Sequence, residues 1–328
     1  VNDGGTMAML GDAWVQVQGW LFEAAVQPLL FTTGLYVWSE PAFDAVEFVM
    51  LGVLQILVIL AVMVPLERWR PVETWPDRAR VKVDLTYTLL AKLGLAPLLI
   101  FMVLTPVDQE LSELMRDHGL APLVLEDIAP ALHEWPLLSF AIYFILLDLV
   151  GYWVHRAQHG LRWWWALHAL HHSQRQMTCW SDDRNHLVDD LAVGFVLAVT
   201  ALVIGVEPGQ FVAIVTVTKL LESFSHANVR LGFGAIGRRL LVEPAFHRRH
   251  HAIADATDPS RHDVNFGVVL PWWDMLFGTA RHHAHVYPTG VDDAEVDRDG
   301  AQGWVAQQVN GVRRMARALR PTRRPAAA

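Results

Sequence analysis

The chain has 328 residues, of which 53% are hydrophobic and only 18% charged, and its mean hydropathy is +0.26. Soluble domains carry about a quarter charged residues, so the composition excludes an ordinary water-facing protein, and fourteen tryptophans with fourteen phenylalanines point to a membrane and its interface. A net charge of −8 without a basic excess excludes nucleic acid as the partner, and the single cysteine, Cys179, excludes an intrachain disulfide and any CxxC zinc site.

No cleavable signal peptide is expected, because VNDGGTMAML places no positive residue before an apolar core. Residues 1–44 read as an N-terminal segment in which 20–38, interrupted by Glu23 and Pro28, is a weak candidate for an additional membrane helix. Residues 45–136 read as a first transmembrane hairpin with its polar connection. Within it, 48–66 is nineteen residues without a charge, the length of a membrane-crossing helix. The second run, 85–107, holds only Lys92 as a charge, with Pro97 as the place for a kink.

Residues 137–280 read as a histidine-cluster catalytic domain that includes further membrane helices. The run 137–154 contains only Asp148, and 191–206 is uncharged and followed across Glu207-Pro208 by 209–218. That pair reads either as a hairpin entering from one side or as two short spans. The expected fold is therefore all-α and integral to the membrane, with four to six transmembrane or re-entrant helices and a cytosolic helical cap carrying the histidine clusters. Orientation follows from the basic residues, including Arg68, Arg70, Arg78, Arg156, Arg162, Arg230 and Arg238, which flank the histidine-bearing ends and mark them as cytosolic, as in a bacterial inner membrane or the ER. The acidic connection with Asp108, Glu110, Glu113, Glu126 and Asp127 marks the opposite side. Residues 281–328 read as a polar, partly disordered C-terminal tail.

Nine of the sixteen histidines carry the chemistry. His155 and His159 form HxxxH, His168, His171 and His172 form HxxHH, His226 stands in SFSHANV, and His247, His250 and His251 form a second HxxHH. At about 100° per residue, each motif aims its imidazoles to one side of a helix. Thirteen residues separate His155 from His168, so on one straight helix they point about 220° apart. A break is expected at Gly160, acting as a left-handed cap. One helix should end near His159 and the next begin near Leu161. The latter is expected to lie on the membrane surface, with Trp163, Trp164 and Trp165 among the headgroups.

Imidazole suits zinc, copper, iron and nickel, and four ligands satisfy a tetrahedral ion, so this many imidazoles imply two metal ions. Asp148 and Tyr152 share a helical face with His155 and His159. A carboxylate inside a membrane helix is costly, and Asp148 reads either as orienting a metal-bound imidazole or as a hydrogen-bond acceptor for a neighbouring helix.

The segments DLVGYWVHRAQH, WALHALHHS, FSHANV, FHRRHH and DVNFGVVLPWWDMLFGT, spread over residues 137–279, resemble the fatty acid hydroxylase / sterol desaturase superfamily of integral-membrane di-iron enzymes. The last of these, with Asp263, Asn265, Gly267, Trp273, Asp274 and Gly278, is typical of the family and holds no ligand there. The resemblance implies two irons held by His155, His159, His168, His171, His172, His226, His247, His250 and His251, with O2 as co-substrate and electrons from a separate donor. It adds His186, in DRNHLVDD, as a tenth candidate ligand, although leucine follows where the sterol branch has proline. Arg230 stands where fatty acid 2-hydroxylases place a second histidine, so HANV and FHRRHH look nearer to the sterol desaturase and alkylglycerol monooxygenase branches. Asn228 is expected to contact a metal-bound water, and His282, His283 and His285 in ARHHAH read as surface residues.

The expected function is a membrane-bound di-iron oxygenase that hydroxylates or desaturates a C–H bond of a sterol-like, fatty acyl or ether lipid. The chain has no HPGG cytochrome b5 motif and no flavin or nicotinamide glycine fingerprint, so a cytochrome b5-like protein, ferredoxin or reductase is expected to dock on arginines around the clusters. The rival readings are a membrane metal transporter or metal-binding protein, and a zinc hydrolase on the same scaffold. Metal content and reductant-dependent oxygen uptake separate them.

Overall fold

The long apolar runs form helices because nothing within them supplies an alternative partner for the backbone. The computed structural model describes residues 3–253, 263–282 and 286–320. Regular structure among these is helical; strand-like pairing is limited to the single bridges Pro71–Val229 and Ala252–Thr289. The N-terminal segment folds as α1 (Asp3–Leu21) and α2 (Gln27–Thr33), and Gly34 at φ 74° ends α2 in the left-handed conformation that glycine adopts without strain. α3 (Ser39–Val58) and α4 (Val64–Trp69) run together through a π-helical turn, giving one continuous 34-residue helix over Tyr36–Trp69.

The run expected as a single helix over 85–107 is divided. α5 (Ala79–Lys92) stops, Gly94 turns at φ 97°, and α6 (Leu95–Asp117) starts afresh. Lys92, the one charge in that run, is buried at the break, where its Nζ lies 3.2 Å from Asp183 and 3.3 Å from Gln55 Oε1. At Gly52 the backbone of α3 touches the Lys92 carbonyl so closely that a Cβ has no room. After the short α7 (Leu125–Ile128), α8 (Pro136–Gly160) carries the chain to the first histidines.

Among the described residues two helices are long and apolar enough to cross a membrane, Tyr36–Trp69 and Pro136–Gly160. Leu54, Leu57 and Leu60 on the first and Leu137 and Leu138 on the second are exposed, as lipid-facing positions would be. Four to six transmembrane or re-entrant helices were expected, and shorter or re-entrant helices fall outside this length criterion. The paired runs become α10 (Leu187–Val203) and α11 (Pro208–Ser225), which close against α8 around Tyr143, Leu147, Ala201, Val206 and Ile214.

α9 (Arg162–His172) follows α8 at the expected place, but the device differs. Gly160 remains helical, and Leu161, at φ −96° and ψ 114°, turns the chain. α9 is also packed inside the protein instead of lying exposed along a surface, with Trp163 and Trp165 half-buried. Trp164 and every residue from Ala166 to His172 are buried. A helix that is apolar or histidine on all sides needs cover all round, and the C-terminal residues supply it. Beyond α12 (Gly234–Leu240), α13 (Pro244–His250) and α14 (Trp272–Phe277), the tail expected to be polar and partly disordered folds as α15 (Ala294–Gly300) and α16 (Trp304–Ala318). Arg314 of α16 pairs with Asp299 and donates from Nε to the Ala166 carbonyl at 3.2 Å. Residues 321–328 of the tail lie outside the described residues.

Candidate metal centre

Three helix ends and two capping residues, His226 and His251, bring nine imidazoles together. His155 and His159 come from the last turns of α8, His168, His171 and His172 from α9, and His247 and His250 from α13, while His226 caps α11 and His251 caps α13. They divide into a group of five, His155, His159, His168, His172 and His250, and a group of four, His171, His226, His247 and His251. Within each group the candidate ligand atoms lie within 4.8 Å of one another. Each HxxHH motif serves both groups. Positions four apart share a face, so His168 with His172 joins one group while His171 joins the other; His247 with His251 and His250 mirror this.

The Nε2 atoms face each other at close range: His159 to His172 at 3.1 Å, His250 to His172 at 3.2 Å, His226 to His171 at 3.2 Å, and His247 to His226 at 3.0 Å. Nε2 of His155 and of His168 is buried without a protein partner. A neutral imidazole that donates from Nδ1 presents only a lone pair at Nε2. Lone pairs turned toward one another in a dry interior repel unless a cation lies among them. Burial, followed by the neighbouring imidazoles, pushes His171, His172, His247, His250 and His251 well below the ordinary histidine range, so they are neutral and ligand-ready. An all-imidazole donor set of this kind fits a pair of transition-metal ions, iron among them.

The opposite nitrogens are held by the surrounding chain. His155 Nδ1 donates to the Phe266 carbonyl at 2.9 Å, His250 Nδ1 to Val264 at 2.8 Å, and His226 Nδ1 to Glu222 at 2.8 Å. His168 Nδ1 lies 3.1 Å from Asp189 Oδ2, and Asp189 Oδ1 also accepts from Gln158 (2.7 Å) and Trp164 Nε1 (2.6 Å). The carbonyls of Val264 and Phe266 are set by the closing motif. Asn265 between them adopts φ 60°, a left-handed conformation that asparagine tolerates better than most residues. Its side chain donates to the carbonyls of Phe246 (2.9 Å) and Arg281 (3.0 Å). Asp274 accepts from the amides of Phe266 (2.8 Å) and Gly267 (2.7 Å).

A cavity of about 150 Å³ reaches this centre. Leu147, Val193, Leu197, Phe211 and Ile214 line its apolar side, and His155, His168, His171, His226 and His247 line the other. Asp190, Lys219 and Glu222 also face it.

Residues 140–279 match the family model for fatty acid hydroxylase. The similarity to this family is confined to that segment, which is under half of the chain. Similar proteins include the alkylglycerol monooxygenases of Danio rerio, 28% identical over 42% of this chain and 29% of that protein, and of Homo sapiens, with the same identity and coverage. The alkylglycerol monooxygenase of Caenorhabditis elegans is 26% identical over 43% of this chain and 26% of its own length. The matched region thus spans under a third of these relatives. No solved structure matches the chain.

All nine clustered histidines belong to the two groups, but several other expected site residues do not. His186 caps α10: its Nδ1 accepts from the Val188 amide at 3.1 Å and its Nε2 lies 2.7 Å from the Gln308 carbonyl. With both nitrogens engaged, it belongs to neither group. Asp148 touches no imidazole. Its carboxylate accepts from the amides of Val269 (3.0 Å) and Leu270 (3.2 Å) and from Trp273 Nε1 (2.8 Å), which fastens the closing motif to α8 and answers to the alternative role as an interhelical acceptor. Tyr152 likewise meets Thr279 Oγ1 at 3.0 Å. Asn228 pairs its amide with both backbone groups of Glu73, at 3.0 and 2.8 Å, and its side chain is taken up there instead of reaching toward metal-bound water.

Arg248 and Arg249, within FHRRHH, are buried, the first paired with Glu73 and the second over the Tyr287 ring, so neither adds to an exposed docking face. His282 is half-buried against Phe246, and His283 and His285 lie outside the described residues. Sequence reasoning passed over Asp189 as an imidazole partner, and over the carbonyls of Val264 and Phe266. An acid one turn into the helix after DRNH was a readable signal for Asp189. A backbone carbonyl leaves none, because every residue has one.

Proposed function

We propose that this chain is a membrane-bound lipid monooxygenase that uses a histidine-bound di-iron centre and O2. The observation that carries the reading is the meeting of two inward-turned imidazole groups with an apolar cavity inside a fatty acid hydroxylase domain. The similarity to alkylglycerol monooxygenases favours an ether lipid as the substrate and hydroxylation as the outcome.

His155, His159, His168, His172 and His250 would hold one iron, and His171, His226, His247 and His251 the other. When bound and reduced by a separate electron-donor protein, the metal pair supplies the activation of O2 that insertion into an unactivated C–H bond requires. The protein's part is placement. Asp189 and the carbonyls of Val264, Phe266 and Glu222 fix the Nδ1–H tautomers, so that the Nε2 lone pairs point inward. Leu147, Val193, Leu197, Phe211 and Ile214 would hold an alkyl chain against the histidine wall and exclude water from it. The basic residues flanking the helix ends that bear the imidazoles favour a cytosolic position for them.

The test is metal analysis of protein purified without added metal, followed by oxygen uptake with reductant, donor protein and an alkylglycerol. Two irons per chain and a product heavier by one oxygen atom are expected. One zinc per chain and no reductant-dependent oxygen uptake would sink the reading and favour a hydrolase.

A further inference from the structure

α16 has the reverse of the usual polarity for a helix at a protein surface. Its inward face is polar: Gln307, Gly311 and Arg314 are buried. Gln307 accepts from Tyr87 Oη at 2.7 Å and donates to the Gln302 carbonyl at 2.7 Å, while Gly311 leaves room for the His186 ring. Its outward face carries Val305, Val309, Val312, Ala316 and, just past its end, Leu319. The three valines and the leucine are 66, 43, 43 and 60% exposed. At about 100° per residue these five positions fall within an arc of about 80°. Arg313, Arg317 and Arg320 occupy the next arc, with Glu295 paired to Arg317.

The helix also lies beside the ends of two apolar helices, α8 and α10. It runs antiparallel to α9: Gly300, just before it, abuts Ser173, just after α9, and Arg314 near its end bonds Ala166 near the start of α9. Its C-terminal end therefore points toward Leu161, where the candidate span Pro136–Gly160 stops. Its middle rests on His186, the cap from which apolar α10 departs.

We infer that α16 is an interfacial helix, its valine stripe seated at the acyl boundary of an anionic leaflet and its arginines among the phosphates. An acidic protein partner would be met by the arginine row but has no use for a continuous valine stripe beside it. A second copy of the chain would bring like arginines together. The bilayer satisfies both arcs at once. Because α16 also clamps α9, this contact sets the depth of His168, His171 and His172 relative to the leaflet. The inference needs no metal.

The experiment uses the full chain in lipid vesicles with a bimane label on Val309→Cys, and on Asp292→Cys as an exposed control. Cys179 is buried and does not compete for the label. Brominated phosphatidylcholine is expected to quench the label at position 309 at least about twofold more than the label at 292, and aqueous iodide to do the opposite. Adding phosphatidylserine should increase the lipid quenching, and the double variant Arg313→Gln/Arg320→Gln should lose that increment while keeping its thermal stability. Equal iodide quenching at 309 and 292 overturns the inference. So does protection of 309 from both quenchers that grows with protein-to-lipid ratio, since that means a second copy covers the stripe.

Discussion

The backbone carbonyl of Val264 accepts a hydrogen bond from Nδ1 of His250 at 2.8 Å. The carbonyl of Phe266, two residues on, does the same for His155 at 2.9 Å. A motif that places no histidine in either group thus aims two histidines of the first group. Its job is geometric: an imidazole whose far nitrogen is fixed has its lone pair fixed as well.

Gly267 tests that job without touching a histidine. A Cβ there would sit 2.7 Å from Asp274 Oδ2 and 2.8 Å from the Leu270 carbonyl, so Gly267→Ala must displace the carboxylate that holds the motif. Metal affinity should fall roughly 10–100-fold, the usual cost of disturbing the partners of ligands. Equilibrium metal competition measures it; an unchanged affinity would separate the motif from the centre.

Substitution of one ligand from each group should reveal two sites. His250→Ala is expected to lower metal content from about two ions per chain to about one, with His172 losing a neighbour. His251→Ala should remove the other ion, and each variant should abolish oxygen uptake. Elemental analysis of both variants checks this; full metal content in either would remove that residue from the ligand set.

Asp189 and Asp148 should behave differently although both are buried acids. Asp189→Asn disturbs the partner of His168 and should weaken metal binding roughly 10–100-fold. Asp148→Ala leaves three donors without their acceptor and should cost about 3 kcal/mol of stability at first order. Thermal melts paired with metal titrations distinguish the two outcomes.

His186→Ala should keep full metal content and lose the α10 cap, a loss of about 0.5–2 kcal/mol, with His186→Asn recovering part of it. A metal deficit in the alanine variant would restore His186 to the ligand set.

Acid should destabilise the metal-free protein. Burial and neighbouring imidazoles hold His171, His172, His247, His250 and His251 far below their unfolded values. As pH falls through about 6.5 the unfolded chain takes up protons that the folded chain does not, so stability declines. The melting temperature of metal-stripped protein, followed from about pH 7.5 to about pH 5.5, should drop, and His251→Asn should flatten the curve.

The helical class, the break between His159 and His168 and the nine clustered histidines were legible in the residues themselves. Helical periodicity and ligand chemistry are local properties, carried by side-chain type and spacing over a few turns. The division of each HxxHH between two groups, the imidazole partnership of Asp189, the anchoring role of Asp148 and the burial of α9 beneath α16 came only with the tertiary structure. Each depends on what lies opposite a residue, and that partner is commonly a hundred or more positions away, as Phe266 is from His155 and Gln308 from His186. A side chain declares what it can bind, but the packing of distant helices determines which partner it meets.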